Sequence, residues 1–534
     1  MTFDSTFLVV APVAIPLITA TLCLFTARRL RLQQLISTIG SLILFGASLV
    51  LLLGVAGGEI WTAHLSNWHA PIGIVLVADR LAASMVLLTG ICAATIGFFS
   101  LSQVAARDQA SGFHSLFHFL MAGVCGAFLT GDLFNLFVWF EVMLLSSFVL
   151  LGLGGGKKRI QGAVKYVTLN LIGSAIFLVS IGVLYGQLGT LNMADVAAKL
   201  ADESAEIHGS AIVAVVGLLV AFALKAGVFP LFFWLPASYH APSPATSAIF
   251  AGLLTKVGVY ALIRTCTLIL PPDAEVVLTV LAWIGVATMF IGVMGAAVQI
   301  EFRKVLSFHI ISQIGYMVLG LAIYTPLAIG AAVYFMAHNI IAKSNLFLVA
   351  GLARRIAGTE DLKALGGLAN AKYWWGPWIM IAFFIPAMSL AGLPPLSGFF
   401  AKLGILMGGL EVVEQGGTPS LDPVSAAIAV GVALLVGLFT LFSMIKIWNE
   451  AFWKPAKQRA DGVAIGVDRP TPVALDPRPV PVRFSWFVPS LVMAGITVVM
   501  GLFAGPILAW YEAMATELLT PELYRAAVLQ GVEP

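Results

Sequence analysis

The chain has 534 residues, of which 60% are hydrophobic and 10% are charged, and its formal net charge is +3. Because soluble domains carry about 25% charged residues, this composition excludes a soluble protein and predicts an integral membrane protein. The small net charge predicts no nucleic-acid partner. The four cysteines form no CxxC pair, which excludes a disulfide framework and predicts neither a metal site nor a bound cofactor.

Apolar segments of membrane-spanning length, about twenty residues, recur along the whole chain. They occupy residues 7–26, 34–56, 79–102, 113–130, 133–153, 161–187, 210–235, 243–267, 276–298, 305–324, 326–351, 376–410, 424–450 and 485–511. The sequence therefore predicts an all-α polytopic membrane protein with about fourteen transmembrane helices. A short amphipathic helix is expected within 191–207, and the segment 454–484, rich in proline and charge, is expected to be a cytoplasmic loop without a fold of its own.

The charges between these windows alternate in sign. Basic residues follow the odd-numbered helices: Arg28, Arg29, Arg31, Arg107, Lys157, Lys158, Arg159, Arg303, Lys304, Arg354, Arg355, Lys363, Lys372, Lys454, Lys457, Arg459, Arg469, Arg478 and Arg483. The other loops are mainly acidic and contain Glu59, Asp195, Asp202, Glu203, Glu206, Asp273, Glu275, Glu411, Glu414 and Asp422. Since cytoplasmic loops are enriched in Lys and Arg, both termini are predicted to lie outside the cytoplasm.

Seven titratable residues fall well inside the predicted helices, where a charge costs about 2.5–3.5 kcal/mol. They are Glu141, Lys225, Lys256, His309, His338, Lys343 and Lys402. Burial lowers the pKa of a lysine and a nearby carboxylate raises it, so a lysine whose carboxylate partner approaches and withdraws can take up and release a proton. The alternative is structural: a buried ion pair between Glu141 and Lys225, lysines that act as anchors, and histidines that join helices. The number of charges at mid-depth favours ion transport.

Proline interrupts two of the lysine-bearing helices. Pro230 follows Lys225 in the seventh helix, and Pro394 and Pro395 precede Lys402 in the twelfth. Proline removes a backbone amide, and freed backbone groups in a membrane must face protein or water. Two broken helices that lie five helices apart have opposite orientations, which is typical of inverted repeats with a site at the membrane midplane.

This spacing divides the chain into five predicted parts. Residues 1–112 contain helices 1–3, residues 113–267 the first inverted repeat of five helices, and residues 276–453 the second repeat, helices 9–13. The cytoplasmic loop 454–484 follows, and residues 485–534 contain helix 14 and a tail.

Several segments together resemble one family along nearly the whole chain. LKAGVFPLFFWLPASYHAPSPATSAIFAGLLTKVGVYALIR, VWFEVMLLSS, KVLSFHIISQIGYM, AHNIIAKSNLF and SLAGLPPLSGFFAKLG are similar to motifs of the proton-translocating antiporter-like family. That family includes the large membrane-arm subunits of respiratory complex I and the A and D subunits of Mrp-type cation/proton antiporters. VADRLAASMVLLTG and NLFVWFEVMLLSSFVLLGLGGGKKRIQGAVKYVTLN resemble the Mrp D subunit most.

The resemblance implies a role for each of the buried charges. It implies a coupling ion pair between Glu141 and Lys225 and a central proton carrier at Lys256. It implies that His309, His338 and Lys343 continue a hydrated proton track and that the track ends at Lys402. Gln313 stands where complex I subunits often have histidine, so His309 is expected to serve the relay in its place.

The implied function is that of a proton-translocating subunit of a multisubunit Na⁺/H⁺ antiporter, a secondary transporter subunit without catalytic residues. Its implied partners are subunits of the A, B, C, E, F and G type, membrane lipid, H⁺, and Na⁺ or another monovalent cation such as K⁺ or Li⁺. Two alternatives stay open. One is a proton-pumping subunit of a complex I-type oxidoreductase or membrane-bound hydrogenase, which neighbouring genes would distinguish. The other is a stand-alone transporter of an organic solute, which would take up its substrate in liposomes.

Overall fold

The computed structural model describes residues 5–202, 209–271, 275–370, 372–418, 420–455, 457–458, 464–465 and 482–530. Within these ranges the chain is predominantly helical. The helices are α1 Ser5–Phe25, α2 Leu30–Gly54, α3 Arg80–Gln103, α4 Ala106–Leu129, α5 Leu133–Gly152, α6 Lys157–Leu188, α7 Met193–Leu200, α8 Gly209–Ala226, α9 Trp234–Ser238, α10 Pro244–Ile269, α11 Glu275–Val298, α12 Phe302–Ile323, α13 Pro326–Ala357, α14 Gly376–Ala391, α15 Ser397–Glu414, α16 Pro423–Trp453, α17 Val488–Leu502, α18 Ala504–Leu518 and α19 Pro521–Leu529.

Two short antiparallel hairpins accompany the helices. Strand β1 (Trp61–His64) pairs with β2 (Val75–Ala78), and β3 (Lys457–Gln458) pairs with β4 (Ala464–Ile465). The apolar windows predict neither hairpin, because these strands are too short to leave a period-two pattern that stands out from loop sequence.

Twelve of the described helices are long and apolar enough to cross a membrane: α1 to α6, α8, α10 to α13 and α16. The pair α17 and α18 would make a thirteenth span, and α14 is a shorter apolar helix. The chain is therefore a polytopic helical membrane protein with twelve or thirteen such helices, and a total of fourteen stays a prediction.

Both predicted broken helices end at a glycine. Helix α8 ends at Ala226 and is followed by Gly227 at φ +78°, while α14 ends at Ala391 and is followed by Gly392 at φ +91°. A left-handed glycine of this kind is a common way for a helix to stop. Pro230 lies in the connection between α8 and α9, and Pro394 and Pro395 lie in that between α14 and α15, so each proline follows the residue at which its helix ends.

The end of the chain also differs from the prediction. The window 485–511 is not one helix, because α17 and α18 meet at an 80° bend where Phe503 has the non-helical dihedral angles φ −102° and ψ 29°. The amphipathic helix expected within 191–207 is confirmed as α7. Residues 203–208 and most of the predicted cytoplasmic loop 454–484 lie outside the described residues.

The buried centre of the molecule consists of α10, α12 and α13. The apolar windows of α10 and α13 are buried along their whole length and that of α12 nearly so, whereas less than half of the window is buried in α1, α2, α6 and α16. A helix that is buried all round in a polytopic protein contacts other helices on every side. These three central helices carry Lys256, His309, His338 and Lys343.

The helix ends define two opposite faces. On one, which we call the Asp79 face, Leu76 of β2 forms a bridge to Thr130 at the end of α4. On the other, which we call the Glu360 face, one cleft collects basic residues from three of the loops that the charge pattern assigns to the cytoplasm: Lys157, Lys158, Arg159, Arg303 and Arg354.

Candidate functional site

The four lysines singled out from the sequence are all buried. Their exposed fractions are 0% for Lys343, 1% for Lys256, and 6% for both Lys225 and Lys402. Among the described residues, none of the four lies within ion-pair distance of a carboxylate. Buried charges in proteins are normally paired, so this set of lysines is unusual and calls for a chemical explanation.

Lys225 lies one residue before the end of α8 and faces α6. Its Nζ donates a hydrogen bond to Ser174 Oγ at 3.0 Å and lies 5.5 Å from the centre of the Phe140 ring. The implied ion pair with Glu141 is not formed: Glu141 is only half-buried, and its Oε1 is a buried atom without a hydrogen-bond partner. The two groups still interact electrostatically, so the correction concerns direct contact only.

Lys256 lies in the middle of α10, which packs closely against both α8 and α13. A Cβ on Gly258 would lie 2.5 Å from Ala226 N, and one on Gly252 would collide with Ser344 Oγ. Glycine therefore permits backbone-level packing on both sides of Lys256. The lysine Nζ donates a hydrogen bond to Ala251 O at 2.6 Å, within its own helix.

Lys343 and His338 share α13, five residues apart. Lys343 Nζ is buried and has no hydrogen-bond partner among the described residues. His338 Nδ1 is hydrogen-bonded to Ser397 Oγ at 2.9 Å, and Ser389 Oγ lies 3.4 Å away. Because Ser389 lies in the last turn of α14 and Ser397 begins α15, the histidine is attached to both sides of the second break.

Lys402 follows the second break and turns back towards it. Its Nζ donates hydrogen bonds to Leu390 O at 2.9 Å and to Ala391 O at 3.4 Å, the last two carbonyl groups of α14. It also lies 5.0 Å from the centre of the Tyr316 ring. The lysine thus satisfies carbonyl groups that the break leaves without helical partners.

His309 lies on α12 between the other basic groups. Neither of its ring nitrogens has a hydrogen-bond partner, and both polar side-chain atoms of Gln313, one turn further on, are also unpartnered. His309 lies within electrostatic range of Lys343 and Lys402, and Lys343 lies within range of Lys256 and Lys402. The structure therefore brings five of the seven residues into one row, with Glu141 and Lys225 apart from it.

Unpartnered polar atoms concentrate along this row. They belong to Thr255, His309, Ser312, Gln313, His338, Asn339, Lys343 and Asn345. More than about 90% of buried polar groups in proteins have a hydrogen-bond partner, either protein or ordered water. Such a cluster on three adjacent helices is chemically suited to hold water.

Some of the contacting residues carried no signal in the sequence. Ser174, Ser389, Ser397 and Trp234 contact the site but belong to residue types that are common in any membrane helix. Ser389 and Ser397 are the exception, because they flank Pro394 and Pro395, and polar side chains next to a helix break can bond its free backbone groups. No group of three or more histidine, cysteine or acidic residues suited to a metal occurs in the described part of the chain.

Comparison with known proteins places this geometry in context. Residues 130–415 match the family described as NADH:quinone oxidoreductase/Mrp antiporter, transmembrane. The chain is 42% identical over 523 residues to the D subunit of the Na(+)/H(+) antiporter of Alkalihalophilus pseudofirmus, with 98% of this chain and 99% of that protein covered. It is 37% identical over 531 residues to the corresponding Na(+)/H(+) antiporter D subunit of Bacillus subtilis, with the same coverage.

Solved structures agree with these relatives. A chain of the Mrp complex from Dietzia sp. DQ12-45-1b has a TM-score of 0.87 and 31% identity, over 99% of this chain and 100% of that one. A chain of an archaeal membrane-bound sulfane sulfur reductase has a TM-score of 0.84, over 98% and 99% of the two chains. One of respiratory complex I from Thermus thermophilus has a TM-score of 0.77, over 96% and 99%. The last two are 22% identical and show a shared fold.

Proposed function

We propose a function from one premise: the chain belongs to the NADH:quinone oxidoreductase/Mrp antiporter family. Within it, we assign the chain as the D-type, proton-translocating subunit of a multisubunit Na⁺/H⁺ antiporter. Relatives named as D subunits of such antiporters match it over nearly their whole length. Its partners are then the A-, B-, C-, E-, F- and G-type subunits of such a complex, and its role is transport, not catalysis.

One observation carries the proposal: a row of buried basic side chains that have no carboxylate partner within the part of the chain that the structure describes. Lys256, Lys343 and Lys402 follow one another through α10, α13 and α15, with His338 and His309 beside them. An unpaired charge in an apolar interior is very unfavourable unless water or proton loss relieves it. A lysine that is neutral for part of the time, next to water, is a proton carrier.

The energies involved are of the right size. Moving one elementary charge through 100 mV corresponds to about 2.3 kcal/mol. A change of two units in the pKa of a buried lysine corresponds to about 2.7 kcal/mol. The approach or withdrawal of a carboxylate is therefore enough to hold or release a proton against a physiological gradient.

Glu141 and Lys225 are assigned as the coupling pair of this track, in contact during only part of the cycle. Glu141 Oε1 has no hydrogen-bond partner, and Lys225 Nζ is held by a single serine hydroxyl. Rotation of either side chain loses little existing bonding. A pair that forms and separates easily suits a coupling device better than a fixed salt bridge does.

The two predicted repeats, 113–267 and 276–453, are part of the proposal. Their support is the equal ending of α8 and α14: Gly227 N and Val228 N both donate to Ala223 O, and Gly392 N and Leu393 N both donate to Met388 O. The Glu360 face, with its clustered basic residues, is assigned to the cytoplasm. Both termini then lie outside, in a bacterial cytoplasmic membrane.

The two alternatives have less support. A subunit of a redox-driven complex shares the fold, but the chains from such complexes are only 22% identical. A stand-alone organic-solute transporter is not supported by the named relatives.

The proposal is tested by reconstituting the whole complex in everted vesicles and recording collapse of a proton gradient on addition of Na⁺, K⁺ or Li⁺. We expect Na⁺-dependent proton movement that Lys343→Met abolishes, since Lys343 joins the two ends of the row. Lys372→Met, at an exposed basic residue, is the matched control. Normal exchange by an assembled Lys343→Met complex, or no cation response in the unmodified complex, would contradict the assignment.

A further inference from the structure

The fifth helix of each proposed repeat ends in the same way, with a basic residue just before a wide π-helical turn. In α10, Arg264 precedes the π-helical turn Thr265–Ile269. In α16, Lys446 precedes the π-helical turn Trp448–Trp453. The two helix ends lie on opposite faces of the protein, and neither basic residue belongs to the row of proton carriers.

Arg264 closes the Asp79 face of the first repeat. It is 5% exposed, and its Nη2 forms an ion pair of 2.7 Å with Asp79 Oδ2. The same nitrogen lies 3.3 Å from the hydroxyl of Tyr260, which donates to Phe128 O at 2.6 Å. Phe128 lies at the C-terminal end of α4, the first helix of that repeat.

Lys446 has the corresponding position in the second repeat. Its Nζ donates hydrogen bonds to Ala297 O at 2.7 Å, Gln299 O at 2.9 Å and Ala296 O at 3.4 Å. Ala296 and Ala297 lie in the last turn of α11, the first helix of the second repeat, and Gln299 follows directly after its end, on the Glu360 face. Lys446 thus bonds the end of the first helix directly in the second repeat, whereas Arg264 reaches the end of the first helix through the Tyr260 hydroxyl in the first repeat.

Helix C-termini attract cations, because their free carbonyl groups carry partial negative charge. Left open, the ends of α4 and α11 would draw protons or Na⁺ into the protein. Both helix ends lie near the proposed proton track. On α10, Lys256, Tyr260 and Arg264 are spaced i, i+4 and i+8 and so lie on one side of the helix. At the end of α11, Lys446 lies within electrostatic range of His309.

We propose that Arg264 and Lys446 are paired seals, which keep protons from leaving the track at the closed end of each repeat. The inference rests on the proposed transport function. A fixed positive charge in a narrow passage raises the free energy of an approaching proton, as arginine does in proton-excluding pores. In the first repeat, the cleft that contains His240 and Arg159 opens on the Glu360 face, opposite Arg264, so each proton must pass through the lysines.

The test measures passive proton leak in liposomes that contain the whole complex, under an imposed membrane potential and without Na⁺. Lys446→Met is expected to raise the leak at least about tenfold, which requires only ~1.4 kcal/mol of lost barrier. Lys446→Arg, which keeps the charge and the donors, is expected to leak like the unmodified complex. Lys372→Met, which removes an exposed positive charge in a loop assigned to the same face, is expected to have no effect.

The first repeat is tested with the double variant Asp79→Asn/Arg264→Met, because removal of Arg264 alone would leave a buried carboxylate unpaired. We expect the same rise in leak with the complex still assembled. An unchanged leak in Lys446→Met, or an equal rise in Lys372→Met, would overturn the inference. Na⁺-driven exchange by the unmodified complex, measured in the same liposomes, reports separately on the proposed function.

Discussion

The two broken helices end alike but use their lysines differently. After α8, the indole Nε1 of Trp234 donates to Leu224 O at 3.1 Å, and Gly227 N donates to the same oxygen, so uncharged groups bond this helix end. After α14, Lys402 Nζ donates to Leu390 O and Ala391 O. Within the described residues, Lys225 Nζ donates only to Ser174 Oγ and takes no part in the break.

Carbonyl groups at the end of the broken helix are bonded by an uncharged indole in the first half and by a lysine in the second. A tryptophan at the first break leaves its lysine available for a carboxylate on a neighbouring helix. A lysine at the second break has two carbonyl partners and no carboxylate within ion-pair distance in the described residues. Under the proposed function, Lys225 pairs with Glu141 for part of the cycle in the first half, and Lys402 holds a charge at the end of the second.

The largest effect is expected from removing the carboxylate of Glu141, which is assigned as the partner of Lys225. Glu141→Gln keeps the shape of the side chain but cannot pair electrostatically with Lys225. We expect antiport to fall by about a hundredfold or more, the usual size for a lost proton-transfer group, in vesicles where co-purification shows an assembled complex. Glu414→Gln, at an exposed carboxylate on α15, is the control. Near-normal exchange with Glu141→Gln would remove the distinction between the halves.

A stability measurement separates the two lysines. Lys402→Met leaves two buried carbonyl groups without a donor, which costs about 1–3 kcal/mol for each unsatisfied group. Lys225→Met removes only a bond to a serine hydroxyl. We expect both variants to lose antiport but only Lys402→Met to lower the thermal unfolding midpoint of the purified complex clearly. Equal midpoints for the two variants would show that Lys402 has no bonding role at the break.

The smallest effect is expected at the indole of the first break. Trp234→Phe removes one of the two donors to Leu224 O, since Gly227 N still donates to it, and costs about 1 kcal/mol. The second acceptor position of that carbonyl then competes with Glu141 for Lys225. We expect a several-fold fall in antiport, measured beside Trp374→Phe at an exposed tryptophan. Unchanged activity would mean that the carbonyl group does not compete.

Much of this fold is visible in the sequence, because crossing a membrane requires long apolar runs and leaves few choices. The lysines were identifiable for the same reason: charges are rare in such runs. What the runs do not show is how a helix ends. Pro230 drew attention to the first break, but Gly227 ends the helix, and glycine is too common in membrane helices to be a signal by itself.

The contacts of the site were less predictable. The resemblance implied a direct Glu141–Lys225 pair, yet the lysine bonds Ser174, because the choice of partner depends on which helices pack together. The ion pair of Arg264 was likewise hidden, since Asp79 lies far away in sequence at the start of α3. Distant pairs of this kind follow from packing and not from local pattern.

The proposed proton track requires Lys256 to give up and regain a proton. Arginine is the sharpest replacement, because it keeps the positive charge and does not deprotonate in proteins. The decisive measurement is Na⁺-driven proton movement by a reconstituted complex with Lys256→Arg, after assembly and thermal stability are shown to match the unmodified complex. We expect exchange to be lost, as in Lys256→Met. Exchange close to the unmodified rate would show that Lys256 is only an anchor and would contradict the proton track.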